Sequence, residues 1–546
     1  MTNATAKHGW DRETAWVAVL AACASLISFL IYFRRGDILL FGDAVAHINI
    51  ARRVFDSRTP GLLQLGTVWL PLPHVLMMPF LVSKWMWQTG VGGSIPSMVA
   101  YVLGVTGIFR LVRTAAAASE NAPSGSGKAA WFAAAIFGLN PNLLYVQATA
   151  MTESLYLALF LWSVVYFGEF VRGCGEAELR WRAAKRSLWK CGACLTGACL
   201  TRYDGWFVAL AMAALVILYG WRAPGVDVRR TVVEFVLLAA AVPVLWFTYN
   251  AIVYRNPLEF ANGPYSARAI EKKTAVPGFP PHPGTNNLPV AAAYFVKAGE
   301  FSVAREHWQT AWLGLALLGS VALGLRERQR AWLLLLWLPV PFYMLSVAYG
   351  GVPIFTPAWW PHSLYNIRYG LQLLPALVVF VALAAWYGAS SAVRGETTRW
   401  AIWALAVGFA AVSYVSVWQA GPGCYREAWV NSRTRLEIED RLAEQLKRLP
   451  PDASFLMYLG EHVGALQEAG IPLRRTISEG NHRVWKQPSD PEGLWERALA
   501  SPAGYADFVV AFDGDTVWQA VHGLGLPVVA RSEVAGQHAA TIYRAR

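Results

Sequence analysis

Asp43 and His47 stand four residues apart in Phe41-Gly-Asp43-Ala-Val-Ala-His47-Ile-Asn-Ile-Ala-Arg52-Arg53-Val-Phe-Asp56. On a helix that spacing places both side chains on one face. A carboxylate at a lipid–water boundary feels a reduced dielectric, which can tune it as a general base. An aspartate at the start of an amphipathic helix can equally be its cap. Arg52 lies on the same stretch, and Asp56-Ser57 reads as its end. The next run is Gly66-Thr-Val-Trp69-Leu-Pro71-Leu-Pro73-His74. Two prolines so close argue against a regular helix there. The expectation is a fixed turn in which Trp69 and His74 either shape a pocket beside Asp43 or connect two surface helices.

Further candidates are spread along the chain. Glu153, in Met151-Thr-Glu153-Ser154, sits where two apolar stretches meet. It is a candidate ligand, and it also suits the dipole of a helix start. Thr201-Arg202-Tyr203-Asp204 lies between two more apolar stretches. Arg202 and Asp204 can simply pair, or Arg202 can hold a phosphate. Tyr265 falls in the Pro-, Gly- and Asn-rich loop 256–268, while His362, Arg368 and Tyr369 precede a late apolar stretch. There Arg368 is placed for an anionic headgroup or for snorkelling. No Walker, HExxH, GxSxG or haem motif stands out. Cys191-x-x-Cys194 has no second pair nearby, and the six cysteines, Cys174 among them, support no disulfide framework.

The elements that must position these residues follow from composition. The 546 residues are 55% hydrophobic and 15% charged, against about 25% charged in soluble domains. The deficit is concentrated in residues 14–420. Apolar stretches near 14–33, 95–115, 129–147, 152–171, 187–203, 204–221, 231–250, 309–325, 331–349, 368–392 and 400–419 predict about eleven transmembrane helices. The formal charge of +12 lies mainly in short loops such as Arg110–Lys128, Arg172–Lys190 and Arg394–Arg399. The positive-inside rule assigns those loops to the cytosol, so a nucleic-acid partner is not expected. Segments 34–94, 251–308 and 350–367 then lie outside, together with residues 421–546. In that last part, strand-like runs 454–459, 507–512 and 540–543 alternate with helical runs 434–448, 491–500 and 515–523. The pattern predicts a small soluble α/β domain.

Asp43 just past the first helix, the surface helices after it, the Trp69–His74 turn, Met151-Thr-Glu153, Thr201-Arg202 and Arg368-Tyr369 together resemble the GT-C superfamily of integral membrane glycosyltransferases. The likeness is to protein O-mannosyltransferases and aminoarabinose transferase-like enzymes, and it covers most of residues 1–420. It implies a polyprenyl-phosphate sugar donor, an inverting transfer to an acceptor hydroxyl, and an extracytoplasmic active site in a bacterial plasma membrane. It makes Asp43 the base and Arg202 and Arg368 the residues holding the donor phosphate. The acceptor is left open as protein, lipid or glycan. Metal-dependent members carry Asp-x-Asp in the first external loop; here the stretch is Asp43-Ala-Val. A divalent metal held by Asp43, His47 and Glu153 is the remaining cofactor possibility. A secondary transporter or lipid-linked sugar flippase is the competing function. It would place its polar groups at the midplane, with repeated halves.

Overall fold

The computed structural model describes residues 11–117, 126–173, 178–222, 226–274, 278, 280–390, 395–481 and 492–546. Cys174 and Arg394 lie outside them, and the five described cysteines form no disulfide. Apolar runs form helices because the backbone must be satisfied without water. The first is α1 (Arg12–Arg34), capped by Asp11, whose carboxylate accepts from the Thr14 amide at 3.0 Å. Three shorter helices follow, α2 (Gly42–Arg53), α3 (Leu72–Leu81) and α4 (Lys84–Thr89). Then come α5 (Val91–Ala117), α6 (Ser126–Gly138), α7 (Pro141–Val146), α8 (Glu153–Gly173), α9 (Glu178–Cys199), α10 (Asp204–Arg222) and α11 (Val226–Tyr254). The next loop holds α12 (Glu259–Asn262), α13 (Ala267–Thr274) and α14 (Leu288–Val303). The helical part closes with α15 (His307–Arg326), α16 (Pro339–Tyr349), α17 (Leu374–Ala389), α18 (Glu396–Ala420) and α19 (Gly423–Leu446).

Among the described residues, eight helical segments are long and apolar enough to cross a membrane, which makes the chain an integral membrane protein. In α8 and the Ile367–Ala389 segment, 67% and 83% of the apolar window is buried, so these run through the middle of the bundle. In α1 and α11 the share is 33% and 28%, leaving most of their apolar surface for lipid. Among the described residues every stretch foreseen as a span is largely helical, but α6–α7, α9 and α10 are not among the eight. The stretch 129–147 is broken at Asn140-Pro141, where the Asn140 carboxamide caps α7 by accepting from the amides of Asn142 and Leu143, both at 3.0 Å. The first thirteen residues of α9 include Arg182, Lys185, Arg186 and Lys190. In α10 the apolar part, Asp204–Gly220, is short.

Two loop expectations change. Pro71 and Pro73 do not exclude a helix; they start one, as N-cap and second residue of α3, where a missing amide hydrogen costs nothing. His74 is therefore helical. The segment 251–308 also contains α14, which packs on the 3-10 segment Ile367–Leu373. Gly370 permits that crossing: a Cβ there would collide with the Ala298 carbonyl group. The close approach holds the backbone two residues beyond Arg368.

Beyond α19 the chain builds a five-stranded sheet of β1 (Phe455–Met457), β2 (Thr476–Ile477), β3 (Phe508–Phe512), β4 (Val528–Ser532) and β5 (Ala540–Arg544). Its order is β2-β1-β3-β5-β4; β1 is parallel to β2 and β3, and β5 is antiparallel to β3 and β4. Strand alternation divides the core. Leu456, Val509 and Ala511 face Trp495, Ala498 and Val517, while Phe455, Met457, Phe508 and Val510 join Ile438 and Leu442 of α19 in the core shared with the helices. β2 and β4 are not among the strand runs foreseen, and α19 begins eleven residues before the run at 434. The sheet part is tied down on α2 and α4. Gln467 accepts from Asn49 at 2.6 Å and donates to the Trp87 carbonyl at 2.8 Å.

Candidate active site

Arg368 is the centre of the site. It follows Asn366, whose left-handed backbone (φ 54°) turns the chain into the Ile367–Leu373 segment. Its guanidinium donates to Glu427 Oε1 at 2.7 Å and to Asp43 Oδ2, and its Nε lies 3.5 Å from Glu153 Oε1. The guanidinium carbon is 5.2 Å from the Phe41 ring and 5.0 Å from the Tyr369 ring. Glu427 also accepts the backbone amides of Asn366 at 3.0 Å and Arg368 at 3.2 Å. One buried carboxylate thus fixes both the entry turn and the side chain.

Arg202 stands beside it, sharing Tyr369, at 5.1 Å from that ring. It donates to Thr152 Oγ1 at 3.0 Å, Glu153 Oε1 at 3.3 Å and Tyr343 Oη at 2.9 Å, and pairs with Asp204 Oδ2 at 3.4 Å. Tyr343 donates onward to Asp204 Oδ2 at 3.2 Å. Glu153 Oε1 therefore bridges two guanidinium groups. Asp43, Glu153, Asp204 and Glu427 surround just those two arginines. Burial separates the four acids: the side chains of Glu153, Asp204 and Glu427 are 0–2% exposed, whereas Asp43 is 42% exposed. Asp43 is the carboxylate that can leave its arginine and find water.

The backbone before Asp43 is held from α19. Arg435 donates to the Leu39 and Leu40 carbonyls at 3.0 and 3.1 Å. Asp43 sits in the first turn of α2, but its side chain makes no capping hydrogen bond. His47, one turn on, is buried. Its Nδ1 lies 2.9 Å from His74 Nε2, and its ring is 4.5 Å from Trp69. Burial first, then the nearby Arg202 and Arg368, push the His47 pKa down to about 3, so its ring is neutral at physiological pH. His47, Trp69 and His74 thus form the floor behind the arginines.

Other candidates are not brought to Arg368. Arg52 pairs with Asp56 at 2.8 Å and donates to the Leu81 and Val82 carbonyls, tying the end of α2 to the end of α3. Tyr265 belongs to a separate group with Tyr458, Glu479 and Arg53, where burial and Glu479 raise its pKa. His362 is exposed on its loop, with Nδ1 3.1 Å from the Pro357 carbonyl oxygen. Among the described residues no three His, Cys, Asp or Glu side chains are gathered as a metal ion requires. Asp43 and Glu153 meet on Arg368, and His47 turns to His74. Glu427 and Tyr343 were missed. Glu427 lies 59 residues from its arginine, in a stretch read as soluble domain, and Tyr343 is hidden in an apolar run.

No protein-family model matches the chain, and no curated protein matches it. Solved structures do. ArnT from Cupriavidus metallidurans bound to undecaprenyl phosphate matches with a TM-score of 0.55 at 14% identity, over 97% of this chain and 98% of that one. The apo state of the same protein matches with a TM-score of 0.52 over the same spans. The archaeal oligosaccharyltransferase AglB from Archaeoglobus fulgidus matches at 12% identity and a TM-score of 0.48, over 92% of this chain and 69% of that one, which is too distant to carry an argument. At such identities a likeness establishes architecture: this chain has the GT-C-type membrane fold of ArnT over nearly its whole length.

Proposed function

We propose that this protein transfers a sugar from a polyprenyl-phosphate donor to an acceptor hydroxyl, with inversion at the anomeric carbon. The observation that carries the reading is the half-exposed Asp43 held by a buried arginine whose other contacts are sealed. The fold is shared with a protein solved with undecaprenyl phosphate bound, which supports a donor of that class. The donor phosphate competes with Asp43 for Arg368. Binding there, with Arg202 adjacent, places the leaving group against guanidinium donors that stabilise its growing charge. Asp43, released, takes the proton of the acceptor hydroxyl. The hydroxyl oxygen forms its bond to the anomeric carbon as the bond to the phosphate oxygen breaks, and the polyprenyl phosphate leaves with that electron pair. A single displacement inverts the centre. Neutral His47 adds no charge beside the phosphate.

In this reading residues 1–420 carry the catalysis and residues 421–546 supply Glu427. On the same reading the site faces the outside of a bacterial inner membrane, opposite the short basic loops. The test is donor consumption by purified protein in nanodiscs, with a radiolabelled panel of polyprenyl-phosphate sugars and crude membrane acceptors. Wild type should consume one of them and Asp43→Asn should spare it. A variant as active as wild type would remove Asp43 from the mechanism, and an inert wild type would return the transport reading.

A further inference from the structure

Away from Arg368, a cavity of about 360 Å³ opens between α14, the approach to α15, the 350–367 loop and the α18–α19 junction. Arg305 and Arg426 reach it from different elements, and Lys297 joins them from α14. Lys297 is already committed, to Glu300 at 2.8 Å and Gln309 at 2.7 Å. Among the described residues the side chains of Arg305 and Arg426 have no ion-pair or hydrogen-bond partner. Glu306 is the acid in the lining, so the wall keeps a net positive charge. Its floor is apolar, with Phe301, Leu364 and Val417. The depth is that of a headgroup. Arg305 and Glu306 directly precede the α15 span, Val417 and Ala420 end the α18 span, and exposed Trp418 lies between them. This is the membrane face that carries the sheet. The residues that seal Arg368 are not those of the cavity: Glu427 turns one way from α19 and Arg426 the other.

We propose that this cavity binds the phosphate headgroup of an anionic membrane lipid, separately from the Arg368 centre. Two unpaired guanidinium groups supply the fork geometry that phosphate accepts. The apolar floor and the position at two span ends favour a lipid over a free anion, because acyl chains continue into the bilayer along the same helices. The proposal needs no turnover and stands apart from the proposed reaction.

The test is native mass spectrometry of the full chain in neutral detergent, titrated with dihexanoyl phosphatidylglycerol, dihexanoylglycerol or inorganic phosphate. Wild type should bind the phosphatidylglycerol in preference to both others. Arg305→Gln/Arg426→Gln should bind it about tenfold more weakly, and Arg305→Lys/Arg426→Lys should keep most of the affinity. Equal binding by wild type and the glutamine variant overturns the site. Inorganic phosphate binding as tightly as the lipid overturns the lipid assignment. Should the glutamine variant not fold, salt decides: wild-type binding unchanged between about 0.05 and 1 M NaCl overturns the charged contact.

Discussion

The two ends of α2 carry the same pair of residue types and put them to opposite uses. At its start Asp43 meets Arg368; at its end Arg52 meets Asp56. Both arginines are buried, at 7% and 9% side-chain exposure, so the arginine does not make the difference. The aspartate does. Asp56 is 2% exposed and closed in by Arg52 and by Arg474 at 3.2 Å, whereas Asp43 is 42% exposed. A sealed pair is a strut, because removing one partner strands a charge. A pair open on its acidic side can exchange that acid for another anion at little cost. Arg368 stays balanced when Asp43 leaves, since Glu427 and Glu153 remain beside it.

The comparison can be broken in four ways. The largest effect is expected from Asp43→Asn: a loss of about 10³-fold in sugar transfer, with thermal stability changed by no more than about 0.5 kcal/mol. Donor turnover and melting of the same preparation give both numbers, and a large stability loss would make Asp43 a strut like Asp56. Asp56→Asn should do the reverse, destabilising the protein by about 3 kcal/mol while leaving the turnover of the folded fraction near wild type. Chemical denaturation in detergent beside a rate per folded molecule tests it.

Glu427→Gln sharpens the contrast within the site. It keeps one acceptor oxygen where the Asn366 and Arg368 amides use two, and it removes one negative charge from Arg368, which should then hold Asp43 more tightly. Turnover should fall about tenfold, with donor affinity changed less. A fall in affinity alone would mean that Glu427 merely shapes the donor pocket. The smallest effect concerns the floor. Burial, with Arg202 and Arg368 nearby, lowers the His47 pKa from its ordinary value near 6.5 to about 3 in the folded protein. Its neutral burial therefore contributes full stability above pH 6.5, and that contribution is lost progressively as pH falls toward 3. His47→Gln should flatten the decline in melting temperature between about pH 6.5 and 4. An unchanged slope would place the titration on other groups.

Much of this was readable without coordinates. Spans such as α1, α5 and α8 follow from apolar runs near the bilayer thickness, a property of consecutive residues. β1, β3 and β5 follow from short runs of bulky apolar residues, whereas two-residue β2 and the exposed β4 lack that signal. Asp43, Glu153, Arg202 and Arg368 could be named because charge is costly at the end of an apolar stretch and so stands out there.

What sequence alone determined, then, is the membrane-embedded helical architecture, the sheet after it and the list of charged residues that needed a reason to exist. Tertiary structure decided which of them work together. Arg368 meets Asp43 across 325 positions and Glu427 across 59, while Arg202 meets Tyr343 across 141. No local pattern encodes such partners, because side-chain pairing depends on where whole helices cross, as at Gly370 and Ala298. Exposure was decided there too. That Arg52 is a strut and Arg368 a centre follows from what the packed chain leaves open to water around the aspartate each one holds.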